Sequence, residues 1–72
     1  MRYIRDVGPG DEGVRVSLRR RLPNGGLGDV VGVVERWAGG VVLVRDRRGT
    51  LHEVQETDVV AAKRVPPAPA RR

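Results

Sequence analysis

The chain has 72 residues, a formal net charge of +5 and no cysteine. A chain this short forms one small domain that buries only about 60% of its unfolded surface, which leaves no volume for a deep substrate cavity. The absence of cysteine excludes disulfides, thiolate nucleophiles and thiolate metal sites, and it fits a reducing compartment. The start of the chain lacks the apolar region of a secretory signal, and no apolar run approaches the ~20 residues of a membrane span. We therefore expect a cytoplasmic protein with no membrane partner.

The positive charge is concentrated near the end of the sequence. Lys63, Arg64, Arg71 and Arg72 lie in the last ten residues, which contain no acid. Without these four, ten basic residues face nine acidic ones. The net charge alone is therefore weak evidence for a nucleic-acid partner.

The first third of the chain predicts two strands separated by a loop. Residues 1–4 predict a short edge strand, and the Gly-Pro-Gly sequence within residues 7–13 predicts a loop. Residues 8–13 match G-x-G-x-x-G, but a strand pattern follows where a dinucleotide site needs a helix, so we interpret them as a plain loop. In residues 13–22 apolar and polar side chains alternate, which predicts a strand with one buried face. Arg20 falls on the apolar side, and we place it beyond the end of the core with its guanidinium in water.

The middle of the chain, residues 29–54, predicts a three-stranded meander. Its strands are residues 30–37, 41–44 and 50–54, because β-branched side chains dominate the first two and suit a pleated surface. Residues 38–40 and 46–49 predict the two turns, the second a type I turn closed by a G1 bulge at Gly49. The expected inward positions are Val30, Gly32, Val34, Val42, Val44, Leu51 and Val54. The bulge would absorb the mismatch in alternation between Leu51 and Val54, and Gly32 would mark a bend.

The last part of the chain predicts a closing strand and a tail. Thr57 or Asp58 would cap a short 3-10 turn, and residues 61–65 would form the last strand. Residues 66–72 are rich in proline and alanine and predict a stiff, extended linker, which indicates a longer parent protein. We thus expect an all-β, SH3-like barrel of about five strands over residues 1–65, with one 3-10 turn before the last strand and a tail over residues 66–72.

No pattern in the sequence indicates catalysis. His52 is the single histidine and has no nucleophile at a useful spacing, so we interpret it as a surface residue. The carboxylates are scattered and form no metal-ligand cluster. We expect a chain that is not itself an enzyme, with no catalytic residue, no metal, no cofactor and no small-molecule substrate.

Arginines dominate the candidate binding surface. Its members are Arg15, Arg19, Arg21, Trp37, Arg47 and Arg48. Three interpretations remain open: a phosphate-contacting patch, a protein-docking surface, and solvated arginines paired with Asp29, Glu35, Asp46 and Glu53. Trp37 is either a lid on the core or an exposed contact residue, and the lack of phenylalanine favours the lid.

Three segments carry a family resemblance: VRVSLRRRLPNGGLGDVVGVV, VVLVRDRRG and DVVAAKRVPPAPARR. Together they resemble the SH3-like domain that precedes the catalytic domain in a group of actinobacterial GNAT-family N-acetyltransferases. The resemblance implies an accessory role, with docking on the catalytic domain in cis or on a protein partner. In that family the catalytic domain binds acetyl-CoA through an R/Q-x-x-G-x-G/A turn. Residues 21–26 are the nearest sequence here, but Asn24 replaces the first glycine, so no catalytic or cofactor residue is carried over. The alternative is a stand-alone nucleic-acid-binding barrel.

Overall fold

Six strands and one 3-10 turn form a single sheet in the computed structural model, which describes residues 4–5 and 7–66. The strands are β1 (Ile4–Arg5), β2 (Arg15–Arg21), β3 (Leu27–Ala38), β4 (Val41–Asp46), β5 (Leu51–Gln55) and β6 (Val59–Arg64). The 3-10 turn, Glu56–Asp58, directly precedes β6. The predicted all-β class and the 3-10 turn before the last strand are confirmed. Within the described ranges, no helix has the length and apolar character needed to cross a membrane.

The order of the strands requires the sheet to curl into a barrel. The order is β1-β6-β2-β3-β4-β5, so β5 and β6 lie four strands apart in the sheet. In a flat sheet that separation would be about 19 Å. The three residues of the 3-10 turn bridge at most about 14 Å, so the ends of the sheet must approach each other. β1 extends the sheet beyond β6 as a parallel strand. It overlaps the predicted edge strand at Ile4, and residues 1–3 lie outside the described part.

The interior of the barrel is filled mainly by valine. Its buried residues are Val7, Val16, Leu18, Val30, Val34, Trp37, Val42, Val44, Val54, Val59 and Ala62. The alternation in β2 correctly predicted its inward positions, and the inward positions favoured in β3 and β4 are buried as well. Val7 was missed, because the Gly-Pro-Gly sequence after it indicated an exposed loop. The structure instead buries Val7 ahead of a turn in which the Asp11 amide donates to the Gly8 carbonyl oxygen.

A bulge in β3 turns the only tryptophan inward. The pairing of β3 with β4 shifts between Val34 and Arg36, so Glu35 is the extra residue. Strict alternation from Val34 would place Trp37 on the outer face. The shift reverses that alternation, and Trp37 is 1% exposed. The interpretation of Trp37 as a lid on the core is confirmed, and its inclusion in the candidate binding surface is wrong.

The predicted inward position of Leu51 is also wrong. Leu51 is 42% exposed, whereas Val54 is buried. β4 and β5 pair in continuous register from Val41 opposite Gln55 to Arg45 opposite Leu51. The glycine bulge lies in the turn before this ladder, so nothing within β5 reverses the alternation. His52 therefore shares the side of Val54, and Leu51 points outward.

The turn before β5 has the predicted geometry. The Gly49 amide donates to the Asp46 carbonyl oxygen at 2.9 Å, and Gly49 has a φ of 89°. This left-handed conformation suits glycine and closes the type I turn as a G1 bulge. The predicted cap of the 3-10 turn is wrong. Gln55 holds the cap position and makes no side-chain capping hydrogen bond, so neither Thr57 nor Asp58 serves.

The last strand was predicted over residues 61–65, whereas β6 spans Val59–Arg64. Val65 follows β6, and its amide donates to the Arg15 carbonyl oxygen at 3.0 Å. Arg20 is half-buried, and its Nε is enclosed without a hydrogen-bond partner in the part of the chain that the structure describes. Arg20 is therefore less solvated than expected. The predicted linker, residues 66–72, lies outside the described residues except for Pro66.

Candidate docking face

Four outward side chains form a row across four strands of the barrel. Arg15 on β2 pairs with Val33 on β3, Val33 pairs with Arg45 on β4, and Arg45 pairs with Leu51 on β5. Neighbouring strands lie about 4.8 Å apart, so the row is roughly 14 Å long. Cationic and apolar side chains alternate along it.

A groove beside this row brings two of the predicted arginines together. The groove has a volume of about 240 Å³ and includes Arg15, Val31, Val33, Arg45 and Arg47 in its lining. Val31 and Val33 form its floor on β3. Arg15 stands on the β2 side, and Arg47 in the β4–β5 turn stands on the other side. We call Arg15, Val31, Val33, Arg45, Arg47 and Leu51 the outer face.

The outer face carries most of the exposed large apolar side chains of the described residues. Val31 is 42% exposed, Val33 40% and Leu51 42%, and Leu27 at the start of β3 is 54% exposed. β3 is central in the sheet and apolar on both sides, a pattern typical of strands covered on both faces. The described residues cover only its inner side. Sequence reasoning missed Val31 and Val33 as site residues, although the double-sided apolar run was the signal that could have found them.

The charges of the outer face are only partly compensated. Arg45 forms an ion pair with Glu35 and also donates to the Gly49 carbonyl oxygen. The hydrogen bond that Arg45 donates to Glu35 lowers the pKa of Glu35, so the carboxylate stays charged and balances Arg45. Arg15 donates instead to the neutral Pro66 carbonyl oxygen. Among the described residues, no carboxylate forms an ion pair with Arg15 or Arg47.

Of the remaining predicted arginines, Arg19 and Arg21 do not line the groove that contains Arg15 and Arg47. Arg19 pairs with Asp29 at 2.9 Å, and its hydrogen bond lowers the pKa of that carboxyl group. The pairing of Arg19 with Asp29 and of Arg45 with Glu35 matches the interpretation of partly paired arginines. Arg21 borders a separate groove that also contains Glu53 and Asp58.

Arg48 is adjacent to the outer face. It lines a groove of about 260 Å³ that shares Val31 and Arg47 with the first one. His52 also lines this second groove. Within the described ranges, the guanidinium of Arg48 has no ion-pair partner.

Asp46 holds the turn that carries Arg47 and Arg48. Its Oδ1 accepts hydrogen bonds from the Arg48 amide at 2.9 Å and the Thr50 amide at 3.0 Å. Its Oδ2 lies 2.9 Å from Nε2 of His52. The hydrogen bond with His52 has the largest effect on the pKa of Asp46 and lowers it. The hydrogen bonds from the Thr50 and Arg48 amides lower it further. His52 is thus a half-buried partner of this turn, with 28% of its side chain exposed, rather than a simple surface residue.

The described ranges contain no candidate metal centre. No group of three or more His, Asp or Glu side chains there lies close enough to hold a metal ion. The chemistry that the outer face can perform is recognition: apolar contact on a valine floor and ion pairing at its sides.

Comparison with protein families identifies the barrel. The model of the family described as the Rv0428c N-terminal Sm-like domain matches residues 11–63, about three quarters of the chain. The chain belongs to this family. The match to the Sm-like domain runs from the turn before β2 into β6 and so includes every residue of the outer face. The searches of curated proteins and of solved structures gave no match.

The family assignment supports the coarse part of the expected resemblance. An Sm-like domain is a small all-β barrel, as the predicted SH3-like domain is, and the structure has that architecture. The link to a GNAT-type acetyltransferase stays a prediction.

Proposed function

We propose that this Sm-like domain is a cytoplasmic, non-catalytic accessory module of a GNAT-type N-acetyltransferase. It docks through the outer face on the catalytic domain of the same polypeptide or on another protein. The observation that carries this proposal is the exposed apolar side of β3, formed by Val31 and Val33, with Arg15 and Arg47 beside it. An apolar patch with a polar rim is the usual composition of a protein-binding surface.

Two further observations support docking in cis. The family description places the domain at the N-terminus of the protein that gives the family its name, which is the position of an accessory module. In addition, Arg15 holds the end of the described chain through the Val65 amide and the Pro66 carbonyl oxygen. The point where the chain passes to residue 67 therefore lies beside the outer face. A domain joined there needs only a short linker to reach it.

The GNAT part of the proposal is tested by sequencing the gene beyond the codon for Arg72. We expect a following domain that contains an R/Q-x-x-G-x-G/A turn at the start of a helix. A stop codon, or a following domain without that turn, would overturn this part. The docking part is tested by adding the separately produced downstream polypeptide to the isotope-labelled chain. NMR shifts at Val31, Val33 and Leu51 are expected, and unchanged spectra would contradict docking in cis.

Nucleic-acid binding is the second candidate function. Arg47 and Arg48 are adjacent in one exposed turn and have no ion-pair partner in the described part of the chain. They could contact neighbouring phosphates. Stacking on bases would need an exposed aromatic ring, and Trp37, the one Phe, Tyr or Trp side chain among residues 4–5 and 7–66, is buried. The test is the affinity for single-stranded RNA and DNA at increasing salt concentration. A steep loss of affinity would favour this candidate, and no binding at about 1 mM protein would exclude it.

A further inference from the structure

We infer that the partner of the outer face is an acidic amphipathic protein segment, whose apolar side chains cover Val31, Val33 and Leu51 while its carboxylates pair with Arg15 and Arg47. The inference rests on the proposed docking function and adds the chemistry of the partner. It depends on the barrel surface alone and not on the identity of a downstream domain.

The geometry of the groove sets the shape of this partner. β3 lies between β2 and β4, so Val31 and Val33 form a strip with Arg15 on one side and Arg47 beyond the end of β4 on the other. The two cationic sides stand about 10 Å apart, the distance across three neighbouring strands. An α-helix with its side chains is about 10–12 Å wide, and an extended strand is narrower, so either can lie along the valines. In a segment with an apolar strip between carboxylates, the apolar strip meets the valines and the carboxylates meet Arg15 and Arg47.

The ion pair of Arg45 with Glu35 decides which charges the partner must meet. Arg45 stands in the middle of the cross-strand row, and Glu35 already balances its charge. Arg15 and Arg47, at the sides of the valine floor, are not balanced by a carboxylate of the described residues. Covering them with a neutral or basic partner would remove water from a cation without replacing its interactions, which is unfavourable. An acidic partner supplies that replacement.

The floor of the groove argues for a protein rather than a nucleic acid. Val31 and Val33 are aliphatic and β-branched, so they provide apolar contact area but no ring for base stacking. A phosphate backbone would satisfy Arg47 and leave the valines exposed to water. Apolar side chains of a protein segment bury them, which stabilises the complex at roughly 25 cal/mol for each Å² removed from water.

Selection from a library of random displayed peptides on the immobilised 72-residue chain tests the inference without assuming a partner. The expected peptides combine Asp or Glu with Leu, Ile, Val or Phe. An enriched peptide should shift the NMR signals of Val31, Val33 and Leu51 in the isotope-labelled chain. Val33→Thr and Arg47→Gln should each weaken the binding about fivefold or more, as central interface contacts do.

Arg21→Gln is the matched control, because Arg21 lies six residues from Arg15 along β2, about 20 Å away, and borders another groove. Its affinity for the selected peptides should stay within about twofold of the unchanged chain. Arg47 lies in an exposed turn, so Arg47→Gln keeps the test decisive if Val33→Thr unfolds.

Four results would overturn the inference: no enriched peptide, enriched peptides that are neutral or basic, equal affinity for Arg47→Gln, or peptide shifts confined to residues away from the outer face. Displacement of the peptide by single-stranded RNA at equal affinity would favour the nucleic-acid function instead. If acidic peptides bind as expected but the gene lacks a GNAT-type domain, the inference stands and the GNAT proposal fails. If the gene encodes that domain but the selection fails, the GNAT proposal stands and the inference fails.

Discussion

Gly32 on β3 packs directly against the backbone of Arg45 on β4. A Cβ atom built on Gly32 would lie 2.3 Å from the Arg45 carbonyl oxygen and 2.8 Å from its carbonyl carbon. No side chain can occupy that space unless the strands separate. The contact lies beneath the outer face, because Arg45 and Val33, the neighbour of Gly32, both point outward there. The groove thus depends on a glycine in its floor.

Gly32→Ala is therefore expected to destabilise the barrel. The added methyl group meets backbone atoms rather than a flexible side chain, so β3 and β4 must move apart. The free energy of unfolding should fall by about 2 kcal/mol or more. In a domain of this size that corresponds to a decrease of roughly 10 °C in Tm, measured by circular dichroism. Gly8→Ala is the control, since a Cβ on Gly8 meets no atom within 4 Å and its φ needs no glycine. Equal Tm values for the two variants would contradict the close approach.

The two leucines Leu18 and Leu51 should respond very differently to the same truncation. Leu18 is fully buried among the core valines, and Leu51 is 42% exposed on the outer face. Leu18→Ala removes core contacts and leaves a cavity, which should lower the free energy of unfolding by about 2–5 kcal/mol. Leu51→Ala should change it by less than about 1 kcal/mol. Urea unfolding of both variants measures the difference, and a larger loss for Leu51→Ala would refute the outward orientation of β5.

Most of the fold could be predicted because local chemistry is consistent along β2, β3 and β4. Alternating side chains defined the inner face of β2, β-branched runs defined β3 and β4, and the sequences of residues 38–40 and 46–49 defined the turns. The errors arose where one residue shifts the alternation. Leu51 was placed inward because the glycine bulge was assumed to act within β5. No shift occurs within β5, whereas a shift at Glu35 in β3 reverses the alternation there and buries Trp37. A bulge leaves no residue signature strong enough to place it from sequence alone.

The candidate site was predictable only in part. The arginine-rich strand and turn were visible in the sequence, but the register decides which of them meet. The register places Arg15 and Arg47 in the same groove, and it places Arg21 beside a different groove. The partner of Arg19 was correctly expected among four carboxylates, and the structure identifies it as Asp29. Val31 and Val33 could not be assigned to a site, because a strand apolar on both sides does not show which side lacks a cover.

The stability of the barrel should depend on Asp46 in acid. Its hydrogen bond with His52 and those from the Thr50 and Arg48 amides lower its pKa below the ordinary 3.8. A lowered pKa in the folded state means that the stabilisation is complete above about pH 5 and is lost as the pH falls through the folded value. The free energy of unfolding should therefore decline between about pH 5 and the folded pKa of Asp46. Asp46→Asn keeps an acceptor for the turn amides but removes the charge, so its stability should be lower at neutral pH and decline less in acid.

Asp58→Asn is the matched control for this measurement. Its carboxylate makes no ion pair within the described ranges, so Asp58→Asn makes the same acid-to-amide change without breaking an ion pair. Urea unfolding of the three proteins over pH 2–7, on the order of one pH unit apart, gives the comparison. An acid dependence that is the same for Asp46→Asn and the unchanged chain would show that this turn is not the source.

The β3–β4 turn should accept asparagine at one glycine. Gly39 and Gly40 have φ values of 62° and 79° between the paired residues Ala38 and Val41, which is the pattern of a two-residue type I′ turn. Asn-Gly suits this turn, so Gly39→Asn should leave Tm unchanged or raise it slightly. Gly39→Val should lower the free energy of unfolding by about 1–2 kcal/mol, because a β-branched residue is strained at positive φ. Thermal unfolding of both variants measures the difference. Equal Tm values for Gly39→Val and Gly39→Asn would contradict the turn type.

The outer side of β3 provides the most direct test of docking. The measurement is the NMR spectrum of the labelled 72-residue chain with and without the polypeptide encoded after Arg72. The docking account predicts shifts at Val31, Val33, Leu51 and Arg47, and their loss in Arg47→Gln but not in Arg21→Gln. Unchanged spectra at about 1 mM, a concentration at which even weak binding is visible, would contradict docking in cis. Shifts confined to the Arg21 groove would contradict it as well.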